Sequence, residues 1–280
     1  MGDFAIDTAV RAKPGSPGRY TADVSRDWEI RGPNGGFLAA LALRAAGAEA
    51  KIARPVSFNV HFLRAAQFAP IEIDVQTLHA GRTSESLQVS LHQDGRRIIE
   101  ALVRTVAPTP GLAHDVAQAP PTPHPNTLPS PQDLFPDQPW VNDPYWLNIG
   151  PRIIDTTLWR KTDAGPWPPV YREWYRFSPR ARFEDVWIDA GRLAVLMDSM
   201  SWRAAQQPHP TPRLYYGSTV EFSIWFHRAD LSAEWLLVDY EAPVAEGGTM
   251  GATGRIWSDQ GKLLASGGAQ LMCLPFPSKP

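Results

Sequence analysis

Hydrophobic and polar positions change rhythm several times along this 280-residue chain, and each change marks an element. Over Pro55–Leu63, Val56, Phe58, Val60 and Phe62 alternate with Ser57, Asn59 and His61, the period-two pattern of a half-buried strand. Ile71–Leu78 and Ser86–Gln93 alternate in the same way. Asp94-Gly95 then signals a hairpin turn into a returning strand over Arg97–Val106. Ahead of these strands, Phe37–Ala48 reads FLAALALRAAGA, apolar nearly all round. A helix of that composition must be covered on most sides. Asn34 is a good N-cap for it, and Gly35 and Gly36 let the chain turn and another group come close. Residues 1–24 give only an edge strand around Arg19–Val24. A buried helix followed by an antiparallel meander predicts an α+β fold.

The second half runs through the same order. The pattern predicts strands over Pro151–Trp159 and Val170–Phe177. It then predicts a helix over Ala190–Ala205, capped by Asp189, with Leu193, Leu196, Met197 and Met200 on its apolar face. Strands follow at Thr219–Phe226, Trp235–Glu241, Met250–Ser258 and Leu263–Leu271, the last two joined by a turn ending at Gly261. Local matches support a repeat: Phe62-Leu63-Arg64-Ala65 with Phe226-His227-Arg228-Ala229, and GGFLAALAL with AGRLAVLMD. On these alignments Asp198, Thr219 and Gln270 stand where the first half has Leu43, Pro55 and Arg104. Three side chains able to hydrogen-bond a water thus occur in one copy and not in the other. That asymmetry points to chemistry placed on the second half.

Composition divides the chain and narrows its partners. Eleven of the 28 prolines fall between Pro108 and Pro144, where a central strand or helix interior is excluded. The expected organisation is an N-terminal unit over 1–107, a linker over 108–138 and a C-terminal unit over 139–280. Ten of the eleven tryptophans lie from Trp140 onward. A net charge of -2 offers no electrostatic case for nucleic acid or an anionic membrane. The single cysteine, Cys273, excludes an intrachain disulfide and is compatible with a reducing compartment. There is neither a signal-peptide core at the N-terminus nor an apolar run long enough to span a bilayer, so a cytoplasmic protein is expected. The seven histidines lack metal-binding spacing, and no G-x-S-x-G elbow occurs; neither a metal nor another cofactor is expected.

Three stretches carry a family resemblance: PNGGFLAALALRAAG, then PVSFNVHFLRAA with HAGRTSESLQVSLHQDGR, and STVEFSIWFHRADLSAEWLL. In these the chain resembles the acyl-CoA thioesterase II family, whose members carry two hotdog domains in one polypeptide. The resemblance implies a double hotdog, each sheet wrapped around a long buried helix. It implies hydrolysis of fatty acyl-CoA by a water that Asp198, Thr219 and Gln270 order, and assembly into homo-oligomers. Asp198 would be the base, and backbone N–H groups of Gly35 and Gly36 would receive the oxyanion.

Each assignment has a plainer counterpart. Asp198 would also be at home paired with Arg192, Arg203 or a group at an interface, Thr219 as an ordinary strand residue, and Gly35-Gly36 as a tight helix entry. His61, His227 and Cys273 read as packed side chains, and the tryptophans fill a core as readily as they line an acyl tunnel. Two registers are awkward. Simple alternation groups Thr219 with Glu221, Ser223 and Trp225, away from the face of Val220, Phe222 and Ile224, so the chain must be irregular near 219. The run from Gly261 to Gln270 is one residue long for the family, and a bulge at Gly267-Gly268 would be needed to re-aim Gln270. The competing functions are an acyl-CoA or lipid binder without turnover, and a hotdog dehydratase or hydratase.

Overall fold

The computed structural model describes residues 1–156, 167–209 and 214–276. Strands β1 (Arg11–Ala12), β2 (Arg19–Ala22), β3 (Pro55–Phe62), β4 (Ile71–Ala80), β5 (Ser84–Gln93) and β6 (Arg96–Val106) belong to the first half. Strands β7 (Val170–Tyr175), β8 (Tyr215–Phe226), β9 (Leu236–Glu246), β10 (Thr249–Ser258) and β11 (Leu263–Pro275) belong to the second. All join one antiparallel sheet in the order β1-β2-β4-β5-β6-β3-β8-β11-β10-β9-β7. Read outward from the β3–β8 seam, the two halves are the same: β3-β6-β5-β4-β2 on one side, β8-β11-β10-β9-β7 on the other.

The seam shows the repeat in its register. Asn59 faces Ser223, flanked by Ser57 with Trp225 on one side and His61 with Glu221 on the other. Such a self-complementary edge is what a two-fold axis produces between copies of one unit. Here Asn59 Nδ2 donates to Ser223 Oγ at 2.8 Å and to Glu221 Oε2 at 3.2 Å.

Two long helices pack against this sheet, α2 (Gly35–Glu49) and, in the second half, α5 (Val186–Ser199). Between them in sequence come the short α3 (Pro131–Leu134) and α4 (Pro144–Ile149); α1 (Phe4–Asp7) precedes them and α6 (Ser201–Gln206) follows. The long helices pack antiparallel and very close. A Cβ on Gly36 would fall 2.6 Å from Val195 Cα, one on Gly191 3.2 Å from Ala40 Cβ, and one on Gly47 2.5 Å from the Trp187 ring. The Ala- and Gly-rich run of α2 therefore suits a helix flanked by sheet on one side and another helix on the other. Every residue from Gly36 to Leu43 is buried. The core is continuous across both halves.

Several boundaries differ from the sequence expectation. The second long helix starts at Val186 and is capped by Asp185, whose side chain accepts from Trp187 N–H. Asp189 lies inside it, buried and paired with Arg192. The helix stops at Ser199, and α6 begins at Ser201, so Ala190–Ala205 is not one helix. The expected strand at Pro151–Trp159 is reduced, over its described part, to a single bridge between Arg152 and Trp174; residues 157–159 lie outside the described residues. Three of the tryptophans have a definite task. Trp174, Trp235 and Trp257 belong to a second apolar cluster, against which Ala119 and Leu128 of the proline-rich region pack together with Ile154. Trp174 Nε1 also donates to Pro123 O at 3.2 Å.

Candidate active site

Antiparallel packing brings the C-terminal end of α5 to the N-terminal end of α2, and this is where Asp198 sits. Asn34 caps α2, its Oδ1 accepting from Phe37 N–H at 2.8 Å. The next amide back, Gly36 N–H, donates to Asp198 Oδ2 at 2.7 Å. A carboxylate there gains from the positive end of the α2 dipole as well as from the hydrogen bond. Leu38 N–H returns to Asn34 O, so among the described residues the Gly35 N–H is the first-turn donor left without a capping partner. Gly35 is tightly placed: a Cβ would fall 2.9 Å from Asp198 Oδ2 and 3.0 Å from the Phe62 ring.

Asp198 is buried, and among the described residues its Oδ1 has no hydrogen-bond partner. Native structures seldom leave a buried carboxylate oxygen so, except where a water or ligand completes the site. Burial pushes its carboxyl up to about 6, with the Thr219 hydroxyl and the Gly36 N–H pulling the other way. Thr219 is thus close enough to favour the ionised form, although no fully formed hydrogen bond reaches Oδ1. The paired alternative for Asp198 does not hold for Arg192, which donates to Asp189 Oδ1 and to the carbonyls of Ala181 and Ala233. The Arg203 guanidinium lies over the Trp146 ring.

The irregularity that Thr219 needs is a β-bulge. Gln270 faces Glu221 while the next residue, Leu271, faces Thr219, leaving Val220 as the extra residue of β8. The step turns Thr219 to the face of Leu271, which is 2% exposed, and restores alternation into buried Phe222 and Ile224. The first half has the same step at Val56, between the Pro55–Thr105 and Ser57–Arg104 pairs. The bulge is therefore part of the repeated framework.

Gln270 is placed elsewhere. The glycines expected to carry a compensating bulge, Gly267 and Gly268, pair regularly with Ile224 and Ser223. Gln270 is exposed in the outer row with Glu221 and His61, its Nε2 lying 2.9 Å from the Cβ position of Gly251. On the inner face β11 presents Ala269 and Leu271 instead. Asp198 and Thr219 come together; the carboxamide does not join them. Of the two glycines, Gly36 spends its N–H on Asp198, and no described residue takes that of Gly35. The sequence reading missed that Asn34 reaches Ser199, its Nδ2 donating to Oγ at 3.1 Å. The asparagine at the N-cap was visible, but its second partner lies 165 residues away.

Along the same inner rows, Gly217 pairs with Cys273 two positions beyond Thr219 and Leu271, and Trp202 lies against Gly217. There a cavity of about 420 Å³ opens, with Trp202, Leu214, Tyr215 and Cys273 in its wall. His227 binds Ser266 Oγ at 2.8 Å, and His61 is exposed on the outer face; neither figures among the groups acting on Asp198. Among the described residues no cluster of metal ligands occurs, and no helix is long and apolar enough to cross a membrane.

One antiparallel sheet built from two copies of the same unit, with a long central helix in each copy, is the double-hotdog fold. Solved structures share this fold over nearly the whole chain. A conserved protein of unknown function with hot dog fold from Alicyclobacillus acidocaldarius covers 100% of this chain and 99% of its own (TM-score 0.80, 22% identity). Acyl-CoA thioesterase II TesB2 from Mycobacterium marinum covers 99% of each chain (TM-score 0.79, 21% identity). Acyl-CoA thioesterase 2 from Haemophilus influenzae is 26% identical over 261 residues, 86% of this chain and 87% of the relative. The family models for the acyl-CoA thioesterase N-terminal domain and C-terminal domain match residues 24–106 and 118–273. The chain belongs to the acyl-CoA thioesterase family and is a thioesterase.

Proposed function

We propose that this enzyme hydrolyses acyl-CoA thioesters with a water held between Asp198 and Thr219. The observation that carries the reading is the unpartnered Oδ1 of a buried carboxylate whose other oxygen is fixed by Gly36 N–H. A base with its pKa near 6 is ionised at neutral pH and still takes up a proton readily. Oδ1 accepts a proton as the water oxygen bonds to the thioester carbonyl carbon. Thr219 directs the water, and Gly35 N–H donates to the oxygen as it becomes an oxyanion. Collapse of the tetrahedral intermediate breaks the C–S bond, and the proton on Asp198 passes to the departing CoA sulfur. The products are the free acid and CoA. The cavity beyond Gly217 is the space proposed for the acyl chain. Gln270 has no part in this scheme.

The test is thiol release over a series of acyl-CoA chain lengths, with Asp198→Asn alongside. Release by the native enzyme and its loss in the variant are expected. Tight acyl-CoA binding by the native protein without any released thiol would instead make it a carrier.

A further inference from the structure

We propose that Asn34 is a positioning residue that staples the base of the second half to the helix N-terminus of the first; this rests on Asp198 being that base. Capping α2 requires only an acceptor, which serine, threonine or aspartate would also supply. The amide of Asn34, 6% exposed, does more. Its Oδ1 accepts from Phe37 N–H, while its Nδ2 donates to Ser199 Oγ. The Ser199 hydroxyl gives its own hydrogen to Val195 O at 2.7 Å, so a lone pair is left to face Asn34. The Asn34 main chain is held as well, its N–H by Trp28 O and its carbonyl by Leu38 N–H.

Asp198 and Ser199 are the last two residues of α5 before the helix breaks at Met200. A final turn is the least constrained part of a helix. Two bonds from α2 hold this one, Gly36 N–H to Asp198 and Asn34 Nδ2 to Ser199. Together they close a ring through both helix ends. The ring fixes the direction in which Asp198 Oδ1 points relative to the Gly35 N–H. Base and oxyanion donor come from different repeats, and Asn34 sets their spacing.

Ser199→Ala removes the acceptor without disturbing the cap and favours the helix. It is expected to lower kcat about tenfold, as small misplacements of a reacting group do, with KM unchanged. Ser199→Thr, which keeps the hydroxyl, should restore kcat to within about threefold by the same reasoning. Asn34→Ser keeps a cap but cannot reach Ser199, and the double variant with Ser199→Ala should be no slower than either single one. Native-state amide exchange reads the staple without catalysis: Gly36 N–H should exchange faster in Ser199→Ala. Unchanged Gly36 exchange with kcat within twofold of the native enzyme, or single effects that multiply in the double variant, would overturn the proposal. Faster Gly36 exchange in a protein that releases no thiol would leave the staple standing and remove the hydrolytic reading.

Discussion

Replacing Asp198 by asparagine separates what this side chain does for catalysis from what it costs the fold. Its carboxyl is held at about 6 against an ordinary 3.8, chiefly because burial penalises the charged form. Between about pH 4 and pH 6 the folded chain keeps a proton on Asp198 that the unfolded chain has lost. Wild-type stability therefore falls as pH rises through that window and levels off above it. Two pH units at 1.36 kcal/mol each put the cost at roughly 3 kcal/mol at pH 8. Asparagine stays neutral, and its carbonyl oxygen can still accept from Gly36 N–H. The variant should accordingly be the more stable protein at pH 8, by up to about 3 kcal/mol, with the gap closing as pH falls toward 4. Its turnover should drop by roughly 10²- to 10⁴-fold. Urea unfolding followed by tryptophan fluorescence from pH 4 to 8, paired with thiol release, measures both. A variant less stable than wild type at pH 8, or a gap that does not change with pH, would refute the reasoning.

Thr219→Val keeps the shape of a half-buried strand residue and removes the hydroxyl. Turnover should fall by about 10- to 100-fold, and the acid limb of the kcat/KM profile, near pH 6 in wild type, should move upward as a group favouring the carboxylate is lost. Gln270→Ala touches an exposed side chain on the outer face, and its thiol-release rate should stay within about twofold of wild type. Gly36→Ala drives a methyl into the Val195 backbone and should cost about 1–3 kcal/mol in unfolding experiments. Gly35→Ala meets Asp198 and Phe62 instead, so its loss should be larger in kcat than in stability.

Much of this protein could be read from residue order. Alternation located β3, β4 and β5 to within a few residues, because a half-buried strand must place apolar side chains at every second position. The all-round apolar run at Phe37 identified a central helix, and the matched blocks around Phe62 and Phe226 identified the duplication. Asp198 stood out as an acid on an apolar helix, and Asn34 as a cap. Tertiary structure decided what those residues meet. Whether Thr219 points in or out depends on one extra residue, Val220, that pairing across β11 leaves unmatched, and period-two patterns cannot register such a step in advance. The same pairing keeps Gln270 outside. The partnership of Gly36 with Asp198, and of Asn34 with Ser199, joins positions more than 160 residues apart that meet only because two helices cross antiparallel with glycine at the contact. Local sequence sets which side chains are available, whereas strand register and helix packing set which of them share a space.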